Sequence, residues 1–316
     1  MEKLRPARII VCAPDKAGTR NQALGIGEAL CSRLRQPTDA CIGLFHWSDP
    51  LRLTLTRRSA AAPVFVVSCG PSGERKGRRL KKAGRQNVFW THVETLKSGG
   101  RAPDLHVVPA HDWVEGEGHS EREMKILGVP HRITKAAMEQ RRAAARSLLG
   151  LGPADGLVVI LIGGPNPAFD FGGTVILRTK NLIEQAENAG YKSVLLSSRR
   201  TPQEVRDKLA EEHPAAIEPR LRYEDALAAA DAIVVSEDSI SMTCEASATG
   251  RPVFALPLEP LAGRRLDKFR RFQADWNKFL VSLEAFPSGA GAARDDPPRE
   301  AEHIAARMIE MSAYRV

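Results

Sequence analysis

AIVVSEDSISMTCEASATGRPVFALP, residues 232–257, holds a buried strand, a polar turn, a helix, a Gly-Arg-Pro stop and a second buried strand. The apolar runs AIVV and VFALP show no polar alternation. Strands of that kind are covered on both faces, which means a parallel sheet with helical crossovers. The turn carries more hydrogen-bonding groups than a helix start uses. Ser236 or Asp238 can cap one free amide. Acids are compatible with the positive end of the helix dipole, so Glu237 and Glu245, an E-x7-E pair, are tolerated on structural grounds alone. Ser239, Ser241 and Thr243 remain, and Ser241 lies four residues before Glu245, on one helical face. A sugar or ribose, with its row of hydroxyls, needs donors and acceptors clustered in this way.

The same rhythm runs through the chain. ARIIVCAP, APVFVVSCG and PDLHVVPAHD read as strands of a first half, with a turn DKAGTRNQ and a helix ALGIGEALCSRL after the first of them. DGLVVILIGGPNP, YKSVLLSSRRTP and DAIVV are strands of a second half. Helices ITKAAMEQRRAAARSLLGL, VILRTKNLIEQAENAG, TPQEVRDKLAEEH and EDALAAA lie around and between them. Thr201 and Glu204 have the spacing of a capping box, with Pro202 at the first helical position. The fold class is therefore α/β, with two Rossmann-like parallel-sheet domains facing a cleft. The compositional break at residues 148–155 divides them into 1–150 and 151–290. Residues 291–316 form a terminal helix expected to pack back on the N-terminal domain.

Formal net charge is +8 and the isoelectric point about 9.4, which favours anionic partners; aromatics at 5% do not supply an extended base-stacking surface, so nucleic acid is disfavoured. The five cysteines are scattered, without a CxxC pair, as in a reduced compartment, and no metal site is expected. No apolar stretch reaches 18 residues, and IIVCA is too short for a signal core, so the expected location is cytoplasmic or peripheral on the inner face of a membrane. Two basic runs bear on that location. Arg75–Arg85 lies within a run of seven basic residues in thirteen, expected to be a solvated loop. Arg264–Arg271 interleaves with Phe269 and Phe272 and reads as a helix packing its aromatics inward. Both can meet anionic lipid.

Ligands of open parallel sheets bind beyond the carboxyl ends of strands, and five polar clusters stand there. Gly163 and Gly164, followed by Asn166, are either a plain turn or bare backbone open to a phosphate. Arg199 and Arg200 beside Ser198 are either solvated charges or a fork for a diphosphate. Asp15, Gly18 and Asn21 either shape the first helix start or face an anionic group. His111 and Asp112 are either a satisfied histidine beside a cap or a general base with its orienting acid. The fifth cluster is the opening turn.

Taken together, DKAGTRNQALGIGEAL, VPAHD, LIGGPNPAFDF, SSRRTP and DSISMTCEASATGRPVFALPLE resemble the family of the plant elongated-mitochondria fission factor and its bacterial relatives, which are regarded as glycosyltransferases. The resemblance covers most of the chain. It implies a GT-B fold: a nucleotide-sugar donor held by the second domain, an acceptor by the first, and no obligatory metal or cofactor beyond that co-substrate. Carried over by position, Gly163, Gly164, Asn166, Ser198, Arg199, Arg200, Asp238, Ser239, Ser241 and Glu245 bind the donor. Gly18, Asn21 and Gln22 face it from the acceptor side, and Asp112, His111 or Asp15 supplies the base. Lys16 stands where the family usually has a glycine, and Gly70-Pro71 where it has Gly-Arg. The leading expectation is an inverting glycosyltransferase acting on a cell-envelope saccharide or lipid-linked acceptor. A non-catalytic adaptor at a membrane and a nucleotide-sugar epimerase are the alternatives.

Overall fold

A computed structural model describes residues 7–51, 64–97, 102–114, 120–289 and 294–312; the side chains of Arg85 and Arg264 lie outside this described set. The chain forms two compact units, residues 1–132 with 298–316, and residues 133–297.

In the first unit six parallel strands run in the order β2-β1-β3-β4-β5-β6. They are β1 (Arg8–Cys12), β2 (Ile42–Leu44), β3 (Val64–Cys69), β4 (Val88–Val93), β5 (Leu105–Pro109) and β6 (Glu123–Ile126). Strand alternation sorts the core. Ile9, Val11, Phe65 and Val67 pack under α1 (Ala17–Arg33) and the terminal helix α10 (Glu300–Met311), whereas Ile10, Cys12, Val64 and Val66 pack on the other side with Leu80 of α3 (Gly70–Gly84). A short helix α2 (Thr38–Cys41) leads into β2.

Two local readings change here. The basic run is a helix, α3, because its glycines let it lie hard against the sheet. A Cβ on Gly73 would stand 2.3 Å from the Cys12 carbonyl oxygen, and one on Gly77 would stand 2.2 Å from the Trp90 indole nitrogen. Its buried face also absorbs charge: Glu74 accepts from Arg78 and from the Lys97 amide, and Lys81 pairs with Asp104 at 2.6 Å. The first helix, too, begins at Ala17 behind an extended Lys16, so Gly18, Asn21 and Gln22 belong to its first two turns rather than to a loop.

The second unit has a parallel sheet in the order β11-β10-β7-β9, from β7 (Gly156–Ile162), β9 (Tyr191–Ser197), β10 (Ala232–Ser236) and β11 (Val253–Leu256). A two-residue pair, β8 (Phe169–Asp170) with β12 (Glu259–Pro260), is antiparallel. Helices α5 (Gly173–Asn188), α6 (Gln203–Glu212), α7 (Tyr223–Ala229), α8 (Ile240–Ser247) and α9 (Arg264–Trp276) complete it. In α9, Leu266, Phe272 and Trp276 are buried, and Phe269 meets Phe169 edge-on at 5.1 Å.

The unit boundary falls at 132/133, earlier than the break at 148–155. Helix α4 (Lys135–Leu148) belongs to the second core: Ile133, Met138 and Ala145 are buried with Leu157 and Leu227. Arg142 and Arg146 of the same helix donate to the carbonyls of Ala228–Ala230 at the end of α7 and to Asp231. A helix that closes another helix's orphan carbonyls belongs to that helix's unit, which moves residues 133–150 from the first domain to the second. The terminal helix returns to the first unit, where Ile304, Ala305 and Met308 are buried and Glu300 accepts from the Leu127 amide at 2.7 Å.

Candidate functional site

In each unit the strand order reverses once, between β1 and β3 in the first and between β7 and β10 in the second. Adjacent crossovers leave on opposite faces at such a point, opening a crevice at the carboxyl ends of the two strands.

At the second unit's reversal the chain leaves β7 through Gly163 and Gly164 and leaves β10 through Ser236 and Asp238. The Asp238 carboxylate is buried. One oxygen accepts from the Gly164 amide and the Arg200 guanidinium, both at 2.9 Å, and the other accepts from the Ser236 hydroxyl at 2.6 Å. Ser236 Oγ in turn accepts from the Gly163 amide at 2.8 Å. Burial pushes the Asp238 carboxyl up, while Ser236, the Gly164 amide and Arg200 pull it down.

Six of the residues expected to bind a donor are engaged by the protein's own groups here. The two glycines are bare because the protein's own groups approach them: a Cβ on Gly163 would stand 2.1 Å from Asp238 Oδ2, and one on Gly164 would stand 2.4 Å from the Arg200 carbonyl. Their amides are already engaged and do not await a phosphate. Asp238 and Arg200 are the tie between loops. Asn166 builds the following turn, its Oδ1 accepting from Ala168 N at 2.7 Å and Phe169 N at 3.2 Å. Ser198 Oγ and Thr201 Oγ1 both donate to the Gly163 carbonyl, so Thr201 does not cap α6 as its spacing suggested; a buried carbonyl claims the hydroxyl first.

The opening turn resolves similarly. The cap of α8 is Ser239, accepting from Met242 N, and neither Ser236 nor Asp238. Thr243 Oγ1 donates to the Ser239 carbonyl at 3.0 Å. Glu237 accepts from Leu258 N at 3.0 Å, and burial raises its carboxyl. Glu245 is buried and accepts from the Tyr223 hydroxyl at 2.7 Å; burial, then the Glu245 charge, holds that phenol well above its ordinary value. Tyr223 is the partner that sequence reasoning missed, and its one signal is an aromatic at the start of the acidic helix α7.

Two polar groups of this unit stay available. Arg199 is exposed, and the half-buried Ser241 hydroxyl lies in the first turn of α8; neither makes a hydrogen bond or ion pair among the described residues. The helix start adds outward-facing amides and its positive dipole end. A groove of about 520 Å³ opens elsewhere in this unit, beside Arg178, Asn181, Pro257 and Phe286, and none of the expected site residues line it.

At the first unit's reversal Asp15 follows β1, its side chain 94% exposed and 3.6 Å from Arg20. Gly18 and Asn21 are half-buried just beyond it. Gln22 is buried, accepting from Cys69 Sγ at 3.6 Å and donating to Glu94 at 3.5 Å, so it supports the loop rather than facing a ligand. His111 is buried in the turn after β5, with Nε2 3.8 Å from Asp112. Three strand spacings separate β1 from β5, roughly 14 Å at about 4.8 Å each, so Asp15 and the His111–Asp112 pair cannot serve one reacting oxygen.

Comparison with known proteins gives the arrangement its relatives. The profile of a family described as "Mitochondrial fission ELM1" matches residues 17–311. The chain is 25% identical over 222 residues to the mitochondrial fission protein ELM1 of Arabidopsis thaliana, covering 61% of this chain and 51% of that one. It is 28% identical over 203 residues to a UDP-N-acetylglucosamine–N-acetylmuramyl-(pentapeptide) pyrophosphoryl-undecaprenol N-acetylglucosamine transferase of Rhodococcus jostii (strain RHA1), covering 63% and 50%. The chain thus spans about half the length of the curated relatives it matches. Among solved structures it superposes on the ADP-heptose LPS heptosyltransferase II of E. coli with a TM-score of 0.53 and 13% identity, covering 96% of this chain and 99% of that one. The shared fold is α/β and GT-B-like.

Proposed function

This chain belongs to the mitochondrial fission ELM1 family, and from that premise we propose that it is an inverting, metal-independent glycosyltransferase with a nucleotide-sugar donor. The observation that carries the proposal is a pair of polar groups, Arg199 just beyond β9 and Ser241 in the first turn of α8, that make no hydrogen bond or ion pair among the described residues. A guanidinium and helix amides are suited to a diphosphate, whose negative charge grows as the sugar leaves. The acceptor hydroxyl oxygen attacks the anomeric carbon, the bond to the diphosphate breaks with its electron pair, and a base takes the hydroxyl proton. Asp15 is the proposed base, since it is exposed and stands at the reversal of its own sheet, whereas His111 is buried. The acceptor is a cell-envelope saccharide or a lipid-linked one, met at an anionic membrane surface through the basic helices α3 and α9.

Thermal unfolding with each common nucleoside diphosphate tests the donor side. One of them should raise the melting temperature, and Arg199→Ala should weaken it at least about tenfold. Asp15→Asn should leave that binding intact and lower transfer by about 10²-fold or more.

A non-catalytic adaptor is the second reading. It is favoured by the internal use of Gly163, Gly164, Asn166, Asp238 and Arg200, which leaves few groups for a ligand. No stabilisation by any nucleoside diphosphate would select it. Conversion of a nucleotide-sugar without an acceptor would select an epimerase instead.

A further inference from the structure

Among the described residues, two that are not glycine hold a left-handed backbone, Arg35 at φ 53° and Glu94 at φ 79°. Arg35 has a local cause, since it stops α1. The Gln36 amide donates to the Cys31 carbonyl at 3.0 Å and the Arg35 amide to that of Ser32 at 3.1 Å, a pairing that ends many helices through one left-handed residue. Glu94 has no helix to stop. It directly follows β4, where an extended residue would carry no strain, and a left-handed one crowds its Cβ against the next carbonyl. Strand β5 holds it there. The Glu94 amide donates to the Val107 carbonyl at 3.1 Å, and its own carbonyl accepts from His106 Nε2 at 3.0 Å.

The strained backbone re-aims the side chain. Along β4, Val88 and Trp90 pack on the α3 side, and Phe89 and Val93 on the α1 side, so alternation would send Glu94 towards α3. Its carboxylate instead meets Gln22 Nε2 of α1 at 3.5 Å and the thiol of Cys69, which packs on the α1 side. Burial, then the Glu94 charge, keeps that thiol well above its ordinary value, so it remains a protonated donor. Glu94 is thus half-buried at the carboxyl end of the sheet, beside the second turn of the helix that starts just after Asp15. Strain of this kind persists where the surroundings over-determine it, and it concentrates at sites that bind or react.

We propose that Glu94 grips the acceptor, its carboxylate accepting from sugar hydroxyls of the molecule whose reacting hydroxyl faces Asp15. The proposal rests on the transferase reading above and names the residue of the first unit that holds the acceptor. A row of hydroxyls supplies the donors, and hydrogen bonds to a carboxylate are about twice as strong as those to a neutral oxygen. Strand β4 lies two spacings from β1, roughly 10 Å at about 4.8 Å each, a span that a saccharide covers. Gln22, buried between Glu94 and Cys69, positions the carboxylate.

The test is ligand-observed NMR of the full chain titrated with glucose, galactose, mannose and N-acetylglucosamine as probes, beside melting temperatures. At least one probe should bind the wild type. Glu94→Gly and Glu94→Ala should weaken that binding at least about tenfold, and Glu94→Gln by less, because a carboxamide keeps a neutral acceptor. Glycine relieves the left-handed strain that alanine retains. Glu94→Gly should therefore melt about 2 °C or more above Glu94→Ala. Arg35→Gly, at the helix stop, should bind the probes as the wild type does. Every variant should keep its stabilisation by a nucleoside diphosphate. Loss of that stabilisation from the wild type would remove the transferase reading, whereas the sugar titrations read Glu94 by itself. Probe binding undiminished in Glu94→Gly overturns the proposal, as does the failure of every probe to bind the wild type. A Glu94→Gly chain that melts below Glu94→Ala shows no stored strain and overturns it as well.

Discussion

At the second unit's strand-order reversal Asp238 is buried and bonded through both carboxylate oxygens. At the first unit's reversal Asp15 is exposed and, among the described residues, meets only Arg20, at 3.6 Å. Each acid follows a parallel strand that borders its sheet's reversal, Asp15 the unit's first strand and Asp238 the strand across from it, yet one joins three loops and the other is open to solvent. A carboxylate committed to an amide, a hydroxyl and a guanidinium holds a crevice in shape. The groups that this framework does not use are Arg199 and Ser241 in the second unit and Asp15 in the first.

The largest way to break this contrast is Asp238→Ala. It orphans the Gly164 amide, the Ser236 hydroxyl and Arg200 together, and should cost about 4 kcal/mol in denaturant unfolding, whereas Asp15→Ala should stay within about 0.5 kcal/mol. Acid gives the first unit its own weakness. Burial, then His106, lowers the His92 imidazole to about 4 from its usual 6.5. The unfolded ring therefore takes up its proton at a higher pH than the folded one. Stability present above pH 6.5 should fall by up to about 3 kcal/mol as pH drops toward 4, and His92→Gln should remove that share of the slope in unfolding curves taken across the range.

Next in size is Gly164→Ala, whose methyl would press on the Arg200 backbone. A loss of about 2 kcal/mol is expected, against a neutral or slightly stabilising Gly173→Ala in the open first turn of α5; calorimetry of the two variants decides it. Smallest is the neighbouring pair of arginines. Arg200→Ala should cost about 1 kcal/mol and Arg199→Ala nothing measurable, the reverse of their expected effects on nucleoside-diphosphate binding.

The strands were readable because burial on both faces leaves a direct mark, an apolar run such as AIVV or LVVILI. The positions of the polar clusters were readable as well, since strand ends and helix starts follow from that pattern. Their roles were not. Thr201, followed by Pro202, has the look of a cap, but whether its hydroxyl bonds its own helix or a carbonyl 38 residues earlier depends on which strand lies alongside. The same holds for Arg199 and Arg200, adjacent and chemically identical, of which only the second reaches Asp238. The run from Gly73 to Arg85 misled through its composition. Seven cations suggest a loop, and only the approach of Cys12 and Trp90 to Gly73 and Gly77 shows the contact face of a helix.

By itself, then, the turn at residues 236–241 determined that an α/β crossover begins there and that it is rich in oxygens. The tertiary structure decided how those oxygens are used: Ser236 and Asp238 on the Gly163–Gly164 turn, Ser239 on its own helix, and Ser241 left over. The physical reason is that hydrogen-bond partners in a parallel sheet come from strands distant in the chain. Local sequence supplies the donors and acceptors, and only the packed sheet pairs them.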